Sequence, residues 1–187
     1  MLKELLVFRR FKILLALATA LMFISACSSM STTNSAAVNA SDRWAILPIN
    51  NLSTTAQADL QAQTLIETRM RKRGVQNIDT YTPLTQVSLR NLLDPATDLK
   101  NSLAWATQNG YRYGITGSVN EWHYKAGADR EPAVGMSLKL IDVYSGDVVW
   151  QANAARTGWG YSNLPAVADK VINELLSELQ LRVSAQY

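Results

Sequence analysis

Hydrophobic and polar positions change rhythm several times along this chain, and each change marks an element. Ile13 to Ile24 is almost wholly apolar behind a basic start (Lys3, Arg9, Arg10, Lys12), and small residues then lead into Cys27. Ser28 to Ser41 (SSMSTTNSAAVNAS) is small, polar and uncharged, with too little apolar bulk to fold alone, and reads as a flexible leash. Trp44 to Ile49 is a nearly continuous apolar run, which predicts a strand buried on both faces. After a turn-like stretch from Asn50 to Thr55, Ala58, Ala62, Leu65, Ile66 and Met70 recur on one face of a helix that Gly74 stops. Val75 to Tyr81 predicts a second strand, parallel to the first because a helix joins the two.

Thr82-Pro83 opens a helical stretch to about Leu93, which Asp94-Pro95 breaks. Leu99, Leu103 and Ala106 form the face of a further helix, closed by Asn109-Gly110. From Tyr111 the period becomes two. Tyr113, Ile115 and Val119 alternate with Thr116, Ser118 and Asn120, and Val134, Met136, Leu138 and Leu140 alternate with Gly135, Ser137 and Lys139. Ser145-Gly146-Asp147 turns the chain into a third strand through Val148, Trp150 and Ala152. A final amphipathic helix turns Leu164, Ala168, Val171, Ile172, Leu175 and Leu179 inward. The order predicts an α/β fold of the α+β two-layer kind. Its mixed sheet has a parallel βαβ start and an antiparallel three-strand meander, with helices mainly on one face. Counted in phase with Thr116 and Ser118, Trp122 and Tyr124 fall on the polar face, where they either cover that face within one chain or meet a neighbouring subunit; the subunit interface, where aromatics are enriched, is the reading favoured.

The basic start, the short apolar run and the small residues before Cys27 have the shape of an export signal, too short to span a bilayer comfortably. With a cysteine directly after the small residues, the segment resembles a bacterial lipobox. That implies a lipoprotein signal peptide over 1–26, diacylglycerol on the Cys27 thiol, and acylation (palmitate) of the new amino terminus. The alternative is that Cys27 is simply the only cysteine, beside an ordinary signal. The division expected is therefore 1–26 signal, 27–41 lipidated cysteine and tether, and 42–187 a single domain. Ser28, rather than an aspartate, follows the cysteine, which favours the outer membrane, with the domain facing the periplasm.

Removing the signal changes the electrostatics. The whole chain has 18 Lys+Arg against 15 Asp+Glu; residues 1–26 hold four of the bases and one of the acids, leaving 14 of each. The formal charge of the remainder is zero, so the basic balance argues for no nucleic-acid partner. With its only cysteine acylated, the domain has no disulfide and no thiol for metal or redox work.

Trp44-Ala45-Ile46-Leu47-Pro48-Ile49-Asn50-Asn51-Leu52, with a helix ending Arg71-Lys72-Arg73-Gly74, resembles the opening of the TolB amino-terminal and CsgG-like domains. Gly114-Ile115-Thr116-Gly117-Ser118-Val119 and the run from Leu140 to Trp150 are similar to that superfamily's later strands. Tyr111 to Trp122 and Arg156-Thr157-Gly158-Trp159-Gly160 narrow the likeness to the outer-membrane lipoproteins of Pel-type exopolysaccharide export, over essentially the whole domain. The resemblance implies a homo-oligomeric ring on the periplasmic side of the outer membrane. It would guide a partly cationic polysaccharide to an outer-membrane β-barrel exporter, in support of a biofilm matrix.

Enzyme chemistry has little to stand on. His123 is the only histidine, so neither a His-rich metal cluster nor a serine triad can be assembled, and no cofactor is expected beyond the lipid on Cys27. Gly158-Trp159-Gly160 lacks the third glycine of a phosphate loop. Of five tryptophans, Trp44, Trp105 and Trp150 fall on inward faces and are assigned to packing. Trp159, between two glycines and beside Tyr161, is either a plug folded back on the last helix or an exposed ring suited to a bilayer interface. The resemblance tips it toward membrane contact. Asp129 and Glu131 read most simply as solvated loop acids beside Arg130. In a ring, however, one such loop per subunit becomes a circle of negative charge that could guide the polymer. A regulator of a periplasmic cell-wall synthase is the alternative, against which a fourteen-residue leash argues, since such regulators need a long reach. A CsgG-like pore would need further strands of about 9–11 lipid-compatible residues, and the loops are too short to supply them.

Overall fold

A computed structural model describes residues 28–32, 37–82, 95–126, 130–159 and 162–183. The strands are β1 (Ser28–Thr32), β2 (Val38–Asn39), β3 (Trp44–Asn51), β4 (Ile78–Thr80), β5 (Tyr113–Tyr124), β6 (Pro132–Asp142), β7 (Val148–Thr157) and β8 (Leu181–Arg182). The helices are α1 (Ala58–Lys72), α2 (Pro95–Gln108) and α3 (Leu164–Ser177). Six strands form one mixed sheet in the order β1-β7-β6-β5-β3-β4, and β2 pairs with β8 apart from it. The fold is α+β, with β3 parallel to both β4 and β5 and the meander β5-β6-β7 antiparallel. The helix expected from Pro83 to Leu93 lies outside the described residues.

The apolar run of β3 is buried on both faces. Trp44 and Ile46 enter the main core with α1 and α3, while Ala45 and Leu47 enter a smaller cluster with Ala106 of α2. Two of the three described helices therefore cover one face and α2 covers part of the other. The α1 face predicted from spacing is the one that packs: Ala58, Ala62, Ile66 and Met70 are all buried. Gly74 ends the helix at φ 97°, a left-handed value that glycine takes without strain, and the Val75 N–H closes back on the Met70 carbonyl. In α3, Asn163 caps the first turn by accepting from the Ala166 N–H at 2.9 Å. Its buried residues run from Val167 to Leu176, with Leu179 buried just beyond.

Pro48 interrupts the β3–β5 ladder, whose register shifts between Ile46 and Ile49. Having no N–H, proline cannot donate to the ladder, and its carbonyl is satisfied by the Thr116 hydroxyl at 2.7 Å. At Gly117 a Cβ would sit 2.0 Å from the Ser137 carbonyl oxygen, so the approach of β6 to β5 there depends on a bare backbone.

Two expectations are corrected. Ser28 to Ser41 is not all leash. Ser28–Thr32 pairs antiparallel with β7, from Ser28 opposite Arg156 to Thr32 opposite Ala152. Val38 and Ala40 are buried, and β2 joins β8 near the carboxyl end. Composition could not reveal this, because β1 is held by its backbone ladder rather than by apolar burial. The second correction concerns Trp122. A bulge shifts the β5–β6 register between Val119 and Glu121, and the extra residue reverses the phase of the strand. Trp122 consequently joins the main core at 1% exposure and cannot be a subunit contact.

Candidate functional site

The strand directions bring one end of the sheet together from distant sequence. β5 ends at Tyr124 opposite Pro132, and β7 ends at Thr157 opposite Ala133. Loop 125–131 and the segment after Gly158 thus share this end, and Ser28, opposite Arg156, begins β1 there too.

Trp159 is 85% exposed at this end, the most exposed large apolar side chain among the described residues. It is not loosely held. The Gly158 N–H donates to the Pro132 carbonyl at 2.7 Å. The Trp159 carbonyl accepts from the Ser162 hydroxyl at 2.8 Å and its N–H at 3.2 Å. Gly158 is enclosed: a Cβ on it would meet Pro132 Cγ at 2.6 Å, Val167 Cγ2 at 2.7 Å and Ser162 Cβ at 2.9 Å. The chain at Gly158 fills the space against α3, and the next side chain is sent outward. Of the two readings of Trp159, the plug is therefore excluded. Tyr161 lies outside the described residues.

Tyr124, 43% exposed, stands on the helix side rather than the polar face, and its hydroxyl oxygen accepts from the Leu164 N–H at 3.1 Å. This bond satisfies one of the otherwise unpaired donors in the first turn of α3. Loop 125–131 closes through the Lys125 N–H to the Glu131 carbonyl at 2.8 Å, and Lys125 Nζ donates to the Thr157 hydroxyl at 3.0 Å. Arg130 is exposed at φ 43°, and Glu131 is half-buried. Asp129 and Cys27 lie outside the described residues.

His123 Nε2 is 3.5 Å from Glu121 Oε1, both partly exposed. Among the described residues no group of three or more His, Cys, Asp or Glu could hold a metal. The face opposite α1 and α3 carries exposed Asn120, Lys139 and Asn153 on β5, β6 and β7.

A second aromatic cluster escaped sequence reasoning. Trp105 stacks on Tyr111 at 4.8 Å between centroids and meets Tyr81 edge-on at 5.3 Å. The Arg43 guanidinium lies 4.6 Å from the Tyr111 ring centre, and the Tyr111 hydroxyl donates to Asp79 at 2.8 Å. Burial, then the Asp79 hydrogen bond and charge, push the Tyr111 phenol up, and burial raises the Asp98 carboxyl. Trp105 packs as expected, but its ring partners Tyr81 and Tyr111 lie outside its own helix, where the helical spacing that placed Trp105 inward does not reach.

The chain is thus a small α+β domain with an exposed indole at one end of its mixed sheet. Neither a protein-family model nor a curated protein matches the chain significantly. A PelC dodecamer from Paraburkholderia phytofirmans does: it is 33% identical, with 83% of this chain and 99% of that chain covered and a TM-score of 0.71. A substituted PelC dodecamer from the same organism gives 32% identity, coverages of 83% and 100%, and a TM-score of 0.72. The LpoB C-terminal domain from Salmonella enterica is more distant, at 16% identity, coverages of 63% and 84%, and a TM-score of 0.44. The chain belongs to the PelC family.

Proposed function

We propose that this protein is an outer-membrane lipoprotein, anchored through Cys27 and facing the periplasm. Copies of it assemble into a ring that guides a Pel-type exopolysaccharide to a β-barrel exporter. The observation that carries this reading is the likeness to a PelC dodecamer over nearly the whole of that chain. In the ring, Trp159 with Tyr161 meets outer-membrane lipid, because an indole exposed on a fixed turn suits the bilayer interface. Tyr124 remains as an aromatic available to a neighbouring subunit, while Trp122 does not. No catalytic step and no cofactor are assigned.

Asp129 and Glu131 guide the polymer. One subunit's loop is weak, since Arg130 opposes it and salt screens exposed charge over about 8–10 Å. A ring adds the loops of all its copies around one axis. Because loop 125–131 shares the Trp159 end of the sheet, this circle of charge acts where the polymer leaves the ring for the barrel. The alternative of regulating a distant periplasmic synthase has less reach to work with than the sequence allowed, because β1 starts at Ser28.

The test is export in cells together with assembly in vitro. Closed rings of the domain, and secreted polysaccharide lowered by Asp129→Ala and lowered further by Asp129→Lys, are expected. A domain that forms no higher assembly, in solution or on lipid, overturns the ring. Wild-type export by both Asp129 variants overturns the electrostatic role.

A further inference from the structure

The aromatic cluster around Trp105 leaves one acid unanswered. Tyr111 is fully engaged: its hydroxyl donates to Asp79, Trp105 stacks on its ring, and Arg43 lies over it. Arg43 is committed as well, donating to the Asn109 carbonyl at 2.5 Å. Asp98 has neither a hydrogen bond nor an ion pair among the described residues, although it is partly buried. Burial raises its carboxyl with no cation to offset it, and its charge reaches the Tyr81 hydroxyl without a hydrogen bond joining the two. Asp98 precedes Trp105 by two helical turns, so carboxylate and indole share a face of α2. Trp105 and Tyr81 are themselves partly exposed. Two rings with open surface thus lie beside a partly desolvated, unpaired carboxylate. Such a carboxylate calls for a cation, and aromatic faces attract one too.

We propose that Tyr81, Trp105 and Asp98 form a subsite for an amino-sugar unit, whose C–H face stacks on the rings while its ammonium donates to the carboxylate. This rests on the polysaccharide reading above and adds a contact apart from Asp129 and Glu131. A pyranose presents both parts at once: an apolar C–H face and, on an amino sugar, a compact cation one bond away. Tyr111 precedes β5 and loop 125–131 follows it. The twelve residues of β5, at about 3.3 Å each, separate the two by roughly 35–40 Å. The polymer is therefore held at the sheet end away from Trp159 as well as beside it. Asp98 also has the energetics of a residue kept for binding. A raised carboxyl value means that its ionised form costs the fold stability at neutral pH and costs nothing below the ordinary carboxylate value. A ligand ammonium offsets that cost, so sugar binding and ionisation of Asp98 favour each other.

The experiment uses full-length, lipidated protein in detergent micelles, titrated calorimetrically with β-1,4-linked hexamers of glucosamine, N-acetylglucosamine and glucose. Wild type should bind the glucosamine hexamer about ten-fold or more tightly than either neutral hexamer, and Asp98→Asn should remove that preference. Tyr81→Ala should weaken all the hexamers by about three-fold or more. Asp98→Asn should melt at or above wild type at neutral pH, which separates a binding role from a structural one. If Asp98→Asn keeps the glucosamine preference while Asp129→Ala loses it, the subsite is overturned and the guiding loop stands. A lysine hexapeptide that binds as tightly as the glucosamine hexamer, with equal sensitivity to Asp98→Asn, overturns the choice of a sugar. Wild type that binds none of the hexamers overturns the subsite, and export by the Asp129 variants then tests the polysaccharide reading by itself.

Discussion

Trp122 and Trp159 lie near the same end of one sheet and have opposite fates. Trp122 stands opposite Val134 and is buried in the main core; Trp159 follows the Gly158 bond to Pro132 and is 85% exposed. One backbone irregularity decides each. The bulge between Val119 and Glu121 turns Trp122 inward, and the enclosure of Gly158 by Pro132, Val167 and Ser162 turns Trp159 outward. At this edge, a large aromatic's role follows from the phase of its backbone and not from its residue type.

Truncating each tryptophan breaks the comparison in opposite ways. Trp122→Ala should cost about 3–5 kcal/mol, as removal of a fully packed indole does, and thermal or urea melting reads it directly. Any loss of assembly by this variant should follow its loss of fold. An intermediate effect belongs to Gly158→Ala. Its Cβ must displace proline, valine or serine atoms that stand under 3 Å away, at a cost of about 1–3 kcal/mol. The same change should shift Trp159 and blue-shift or red-shift its fluorescence, which Trp122→Ala does not predict for the exposed indole.

A smaller effect concerns the helices behind Trp122. Arg69 of α1 forms an ion pair with Asp169 of α3, and its hydrogen bond, ahead of opposing desolvation, holds the Asp169 carboxyl below its ordinary 3.8. A depressed folded value means that the stabilisation is fully present above the ordinary carboxylate value and drains away as the pH falls through the folded one. Both side chains are partly open to solvent, so Asp169→Asn should cost under about 1 kcal/mol at neutral pH. Melting curves of wild type and variant should converge in acid.

Elements with a strong local rhythm were legible from sequence: the buried run of β3, the α1 face from Ala58 to Met70, the meander and α3. What failed was non-local. A bulge is visible only when β5 is laid against β6, so Trp122 was counted onto the wrong face. β1 has no hydrophobic pattern, because an edge strand of Ser, Met and Thr is specified by the β7 backbone beside it. Trp159 stayed ambiguous because its exposure depends on Pro132 and Val167, distant in sequence, closing around Gly158. That loop 125–131 shares its end of the sheet follows from hairpin topology, which Asp129 and Glu131 alone do not disclose.

The most direct test of the account is Trp159→Ala, measured for stability and for membrane docking on the same lipidated preparation. Melting should stay within about 0.5 kcal/mol of wild type, as for an exposed side chain, while docking to vesicles and polysaccharide export both fall. A loss of about 3–5 kcal/mol with docking changed only in proportion would make Trp159 a core residue like Trp122. Unchanged stability with unchanged docking and export would remove the membrane-facing edge from the account.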